Sequence, residues 1–124
     1  MNSRTFTMTK NIEELTEALN RFSEERDWER FHSPKNLTMA LSGEVGELAE
    51  LFQWLTEEES QNLGEQQKVR VTQELADIFL YLLLLADKTG VNLIDAAREK
   101  IAINETKYPI DKSYGNAKKY TEFD

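Results

Sequence analysis

The chain contains no cysteine, which excludes both disulfides and thiolate metal ligands. That composition suits a reducing cytoplasm, the expected location. Positive charge is also scarce: 15 Lys and Arg stand against 23 Asp and Glu, for a net charge of −8 and a pI near 4.7. Binding to a nucleic-acid polymer depends on lysine and arginine displacing counterions from phosphates, so such a partner is excluded for the bare protein. An anionic ligand would need a cation as intermediary. Long hydrophobic runs are missing as well. The longest, Ile78 to Ala86, is far shorter than the roughly 20 residues that cross a bilayer. The opening "MNSRTFTMTK" lacks the apolar core of a signal peptide, so no membrane partner is expected.

Proline and glycine, at two and five residues, are few and fall mostly between stretches of 3.6-residue periodicity. That is the punctuation of an all-α fold, and no strand-like alternation competes with it. The length of 124 residues suits one domain, 1–124, with a helical core over about 11–108 and an irregular tail over about 110–124. Asn11 with Glu14 three residues on caps a first helix reaching to about Arg30. Ser33 followed by Pro34 starts a second, to about Leu55. After the polar link "TEEESQNLGEQQ", a third runs from about Gln66 to Lys88 and ends on Gly90 as a left-handed cap. Asn92 with Asp95 opens a fourth, which Pro109 ends. Tyr120 and Phe123 are candidate anchors for the tail.

The third helix is apolar around its whole circumference from Ile78 to Ala86, apart from the Tyr81 hydroxyl. A helix packed on one side needs one apolar stripe, so this segment must be covered on all sides. Four helices of this size hardly surround it alone. The expectation is therefore a four-helix protomer packing into a helical-bundle homo-oligomer.

Two acidic pairs stand out. Glu44 and Glu47 are spaced i, i+3 on the second helix, in "SGEVGELAELFQW", and Glu74 and Asp77 repeat the spacing on the third, just before the apolar run. Like charges one turn apart repel, and half-buried carboxylates stay ionised only when paired, hydrogen-bonded or metal-bound. In a chain this acidic, such spacing also arises on solvated helix faces. If the two pairs share a site, oxygen-only ligands favour magnesium or manganese over zinc. A ferritin-like iron centre needs Glu-x-x-His, and the single histidine, His32, lies outside any such motif. Gly43 and Gly46, beside the first pair, each cost about 1 kcal/mol relative to alanine, a cost that close approach of a helix or a phosphate chain would justify.

The run "ERDWERFHSPKNLTMALSGEVGELAELFQW", with "ELADIFLYLLLLA", "KIAINETKYP" and "KKYTEF" after it, resembles the MazG-like all-α nucleoside triphosphate pyrophosphohydrolases, most closely their dCTP pyrophosphatase branch. The likeness covers about Leu15 to Phe123. It implies a homotetramer, or at least a tight dimer, that converts a nucleoside triphosphate to its monophosphate and pyrophosphate in nucleotide-pool cleaning. It also implies that Glu44, Glu47, Glu74 and Asp77 hold magnesium, with Glu47 the choice for the base that activates water. Leu19 stands where some dCTP-preferring relatives carry histidine, so dATP or a modified deoxynucleotide stays open beside dCTP. A dUTP or phosphoribosyl-ATP pyrophosphohydrolase is the enzymatic alternative, and a non-catalytic helical oligomerisation module the other.

By the same resemblance Trp28, His32 and Trp54 lie on the base side of the substrate. Stacking on an aromatic face suits any base, although tryptophan more often anchors a core or an interface. His32 also fits a cap-region role. Tyr81, one turn beyond Asp77, can reach the sugar or a phosphate, or simply pack in the core. Lys100, Asn104 and Lys107 form a polar stripe on the fourth helix. Read alone it is a solvated face; the resemblance makes Asn104 a sugar contact and the lysines phosphate contacts. Lys118 and Lys119 either close over the phosphates or pin the terminus.

Overall fold

A computed structural model describes residues 11–124, so the N-terminal segment read above for a signal peptide lies outside the described residues. The chain divides into two compact units, Met1–Gly90 and Val91–Asp124. The first carries α1 (Ile12–Glu25), a 3₁₀ turn (Glu29–Phe31), α2 (Pro34–Phe52), α3 (Glu57–Gln61) and α4 (Glu65–Thr89). The second carries α5 (Leu93–Lys107), α6 (Ile110–Ser113) and a 3₁₀ turn (Tyr120–Glu122). No strand occurs among the described residues. None of the described helices is long and apolar enough to cross a membrane.

The all-α expectation holds, but the described residues form six α-helices where four were expected. One addition is α3, inside the polar link. Thr56 Oγ1 accepts from the Glu59 amide at 3.1 Å while Glu59 Oε1 accepts from the Thr56 amide at 2.9 Å, and this capping box turns an apparent break into one helical turn. The other is α6, which starts directly after Pro109 and makes the tail less irregular than its polarity suggested.

The first helix also stops sooner than its periodicity implies, at Glu25 instead of about Arg30. Asp27 adopts a left-handed φ of 55°, its amide bonds to the Glu24 carbonyl, and the Trp28 amide reaches back to the Ser23 carbonyl. These two bonds form a Schellman motif with aspartate in the position glycine normally takes. Trp28 supplies the accompanying apolar contact, its ring edge-on to Phe22 at 5.6 Å between centroids.

Caps predicted from sequence form as read. The side chains of Asn11, Ser33 and Asn92 each accept an amide at the third residue beyond, and Gly90 closes α4 with a φ of 71°. The core of the first unit sits where α4 packs along α2 and against α1. Leu37, Leu83, Leu84 and Ala86 are buried there. Asn20 of α1 ties to Asp87 of α4 at 3.1 Å. The C-terminal part of the apolar run is therefore covered within the protomer itself, more than its all-round apolarity suggested, while Leu75 and Phe79 stay exposed.

In the second unit Tyr108 is sandwiched edge-on by Tyr120 and Phe123, with centroids 6.0 and 5.7 Å away. The two residues read as tail anchors thus fold back on the C-cap of α5.

Candidate functional site

Helices α2 and α4 run antiparallel, since Glu44 lies beside Glu74 and Asp77 while Leu51 and Trp54 lie beside Gln67, Arg70 and Val71. That pairing brings the two acidic motifs together. One carboxylate oxygen each from Glu44, Glu74 and Asp77 lies within 4.8 Å of the others. Glu44 and Glu74 are half-buried and Asp77 is exposed. Glu47, one turn further along α2, is exposed and stands outside this three-oxygen group.

The electrostatics are those of crowded anions. Burial, contact with the Glu74 side chain and the negative charges of Glu47 and Asp77 push the Glu44 carboxyl up to about 7. Oε2 of Glu44 and Oε2 of Glu74 are both shielded from water and accept no hydrogen bond. A buried ionised oxygen without a donor is costly, and a divalent cation held by these carboxylates would offset that cost. The donor set of carboxylate oxygens without sulfur or nitrogen fits a hard cation of the magnesium or manganese type.

Trp54 follows the C-cap of α2 and is 86% exposed, which rules it out as a core anchor of its own chain. It lines a cavity of about 350 Å³ between the end of α2 and the first half of α4. Trp28 is 45% exposed and serves the turn after α1, so the structure gives it a packing role and leaves part of its ring open. His32 closes the 3₁₀ turn before α2, half-buried, with Nδ1 shielded and unpartnered. Tyr81 is half-buried one turn beyond Asp77.

On α5, Lys100 and Asn104 are exposed. The Lys107 ammonium instead lies 4.7 Å from the centre of the Tyr120 ring, a cation–π contact that holds the tail. Arg70 was missed by the sequence reading. It precedes Glu74 by four residues and Asp77 by seven, so it shares their helix face, and that spacing was the available clue.

Among the described residues, no atom outside the helix's own turn lies within 4 Å of where a Cβ would stand at Gly43 or Gly46. The neighbouring described helices therefore do not need those glycines, which corrects the helix half of the expectation. Close approach by something other than these helices is what is left of it.

An all-helical protein with a carboxylate cluster able to hold a cation, beside a tryptophan-lined cavity, is the class these features define. Comparison with known proteins narrows it. Residues 39–123 match the MazG-like family. dCTP pyrophosphatase 1 of Bos taurus is 43% identical over 119 residues, covering 94% of this chain and 70% of that protein. The Homo sapiens protein of the same name is 41% identical over the same shares. Among solved structures, a pyrophosphatase from Archaeoglobus fulgidus superposes with a TM-score of 0.75 at 42% identity, over 79% of this chain and 92% of that one. The chain belongs to the MazG-like family.

Proposed function

We propose that the chain is a magnesium-dependent pyrophosphohydrolase that cleaves a deoxynucleoside triphosphate, dCTP foremost, to the monophosphate and pyrophosphate. The hydrolase class follows from its dCTP pyrophosphatase relatives. The observation that carries the magnesium part is the convergence of Glu44, Glu74 and Asp77, two of which carry a buried, unpartnered oxygen. Glu44, Glu74 and Asp77 would hold the cation, with Glu47 completing the set from its exposed position. When bound, magnesium or manganese supplies Lewis-acid polarisation of phosphoryl oxygens and neutralises the negative charge of the triphosphate.

The chain's own groups do the rest. Glu47, outside the three-oxygen group and open to solvent, accepts a proton from the attacking water at a carboxylate oxygen. Trp54 offers its exposed face to the base, and Tyr81 approaches the sugar or a phosphate. Lys100 and Asn104 are proposed as phosphate and sugar contacts on the strength of the "KIAINETKYP" likeness, as is His32 on the base side. The exposed Leu75, Phe79, Met39 and Val45 favour a homo-oligomer, a tetramer before a dimer, acting in the cytoplasm on the nucleotide pool.

Incubation with a panel of dNTPs and magnesium tests this directly. Monophosphate and pyrophosphate are the expected products, lost with Glu44→Gln. Orthophosphate release alone, or no turnover of any nucleotide, would overturn it.

A further inference from the structure

The cavity beside Trp54 is lined by more than an aromatic ring. At about 350 Å³ it falls at the lower end of the roughly 300–1,000 Å³ usual for small-molecule sites. Leu51, Trp54 and Val71 give it apolar walls, Glu50 and Arg70 give it groups of opposite charge, and Gln53 and Gln67 add amides. Gln67 Oε1 accepts from the Gly64 amide at 3.0 Å, which orients the side chain and leaves its NH₂ unpartnered among the described residues. Arg70 presents a donor fork with no acceptor. Neither Arg70 nor Glu50 forms a salt bridge among the described residues. Against the stacking face the polar lining therefore comprises Arg70 as a donor only, Glu50 as a carboxylate acceptor, and the amides of Gln53 and Gln67, which adapt to either.

That pattern has a chemical complement. Along its pairing edge cytosine carries an amino donor next to two acceptors, N3 and O2. Thymine and uracil place an N–H between two isolated carbonyls, adenine puts a single acceptor beside its amino group, and guanine sets one acceptor beside two donors. A guanidinium fork pairs best with two adjacent acceptors, and a carboxylate with an amino group. Position agrees with this use. Arg70 stands about 6 Å along the α4 axis from Glu74 and about 10 Å from Asp77, at 1.5 Å per residue. A base in the cavity would thus lie one to two turns from the acidic cluster, with the sugar and phosphates between.

We propose that Arg70 is a specificity-determining residue that selects a cytosine-type base, with Glu50 accepting the base's amino group. The inference rests on the nucleotide reading above and deepens it. Arg70 acts on KM and base choice, and it takes no part in the chemical step.

The test compares wild type, Arg70→Ala and Arg70→Lys in magnesium-dependent hydrolysis of dCTP and dTTP. Binding of dCMP and dTMP without metal is followed in parallel by quenching of tryptophan fluorescence. Wild type should prefer dCTP at least tenfold in kcat/KM. Arg70→Ala should raise KM for dCTP about tenfold at nearly constant kcat, leave dTTP within twofold, and weaken dCMP binding by the same factor. Arg70→Lys, which keeps a charge and loses the fork, should fall between. An equal loss on both nucleotides would place Arg70 on the phosphates and overturn the inference. So would a change below twofold, or a wild type without base preference. If wild type turns over no dNTP, the nucleotide reading itself fails and the inference with it; turnover with an unchanged selectivity ratio sinks the inference alone.

Discussion

The carboxylates of Glu74, Glu47 and Asp77 near Glu44 should make the metal-free protein less stable as pH rises. Glu44 titrates at about 7 in the folded chain against an ordinary value of 4.5. Between those values the native state holds a proton that the unfolded state has released, so it gains stability below about pH 4.5 and loses it as pH climbs through 7. At 1.36 kcal/mol per pH unit the full loss is about 3 kcal/mol, and water at a half-buried site makes that a ceiling. Other carboxylates titrate in the same range, so the informative quantity is the difference between wild type and Glu44→Gln. Urea unfolding in EDTA at pH 5 and pH 8 measures it. The glutamine variant should match wild type within about 1 kcal/mol at pH 5 and exceed it by up to about 3 kcal/mol at pH 8. In thermal melts the gap at pH 8 corresponds to roughly 10 °C for a chain of this size. Magnesium should then reverse the order at pH 8, raising wild type and leaving the variant nearly unchanged, because the cation binds the native state alone. Parallel pH curves, with a gap that does not change between pH 5 and pH 8, would refute the electrostatic account.

Other substitutions probe the remaining steps. Gly43→Ala and Gly46→Ala meet no atom of the described residues outside their own helical turn, so each should stabilise the isolated fold by up to about 1 kcal/mol in chemical denaturation, and a loss of activity despite that gain would mean a ligand or second copy needs the space. Asp27→Gly should add about 0.5–1 kcal/mol by relieving the left-handed φ; its exposed ion pair with Arg30 is worth little, and a destabilised variant would refute the strain. Leu37→Ala, at a side chain 1% exposed, should cost about 2–5 kcal/mol in urea unfolding. Ser33→Ala should cost about 1 kcal/mol through the lost cap on Asn36, with circular dichroism reporting the melt.

Helix ends with a side-chain cap were legible because their chemistry is local. Asn11, Ser33 and Asn92 need only a neighbour three residues away, which sequence displays directly. The early end of α1 was not legible, because apolar periodicity continues past Glu25 into Trp28 and Phe31 and nothing marks Asp27 as left-handed. Only the bonds from Asp27 and Trp28 back into the helix decide that the chain turns there. The acidic site was half legible. Spacing put Glu44 with Glu47 and Glu74 with Asp77, but which carboxylates converge depends on the antiparallel register of α2 and α4, a tertiary fact. That register draws Glu44 to the pair on α4 and leaves Glu47 outside. Lys107 was read by resemblance as a phosphate contact, and its ammonium also meets the Tyr120 ring, a partner from further down the chain that spacing along one helix does not display.

The net charge of −8 gives the site its order of events. A triphosphate approaching the metal-free acidic cluster meets carboxylates already crowded enough to hold a proton on Glu44 near neutral pH. At close range and partial burial each such repulsion is worth more than in water, so nucleotide alone should bind weakly there. A divalent cation changes the sign of the encounter, and it must displace the Glu44 proton to do so. Cation affinity should therefore rise as pH increases from 6 to 8, in the same window in which the metal-free fold weakens. Isothermal titration of magnesium in two buffers of different ionisation enthalpy would reveal the released proton, about one per site at pH 6 and close to none at pH 8.5. Equal proton release at both pH values would break the link between the raised Glu44 pKa and cation binding. It would also mean that some other carboxylate of the cluster takes the cation first.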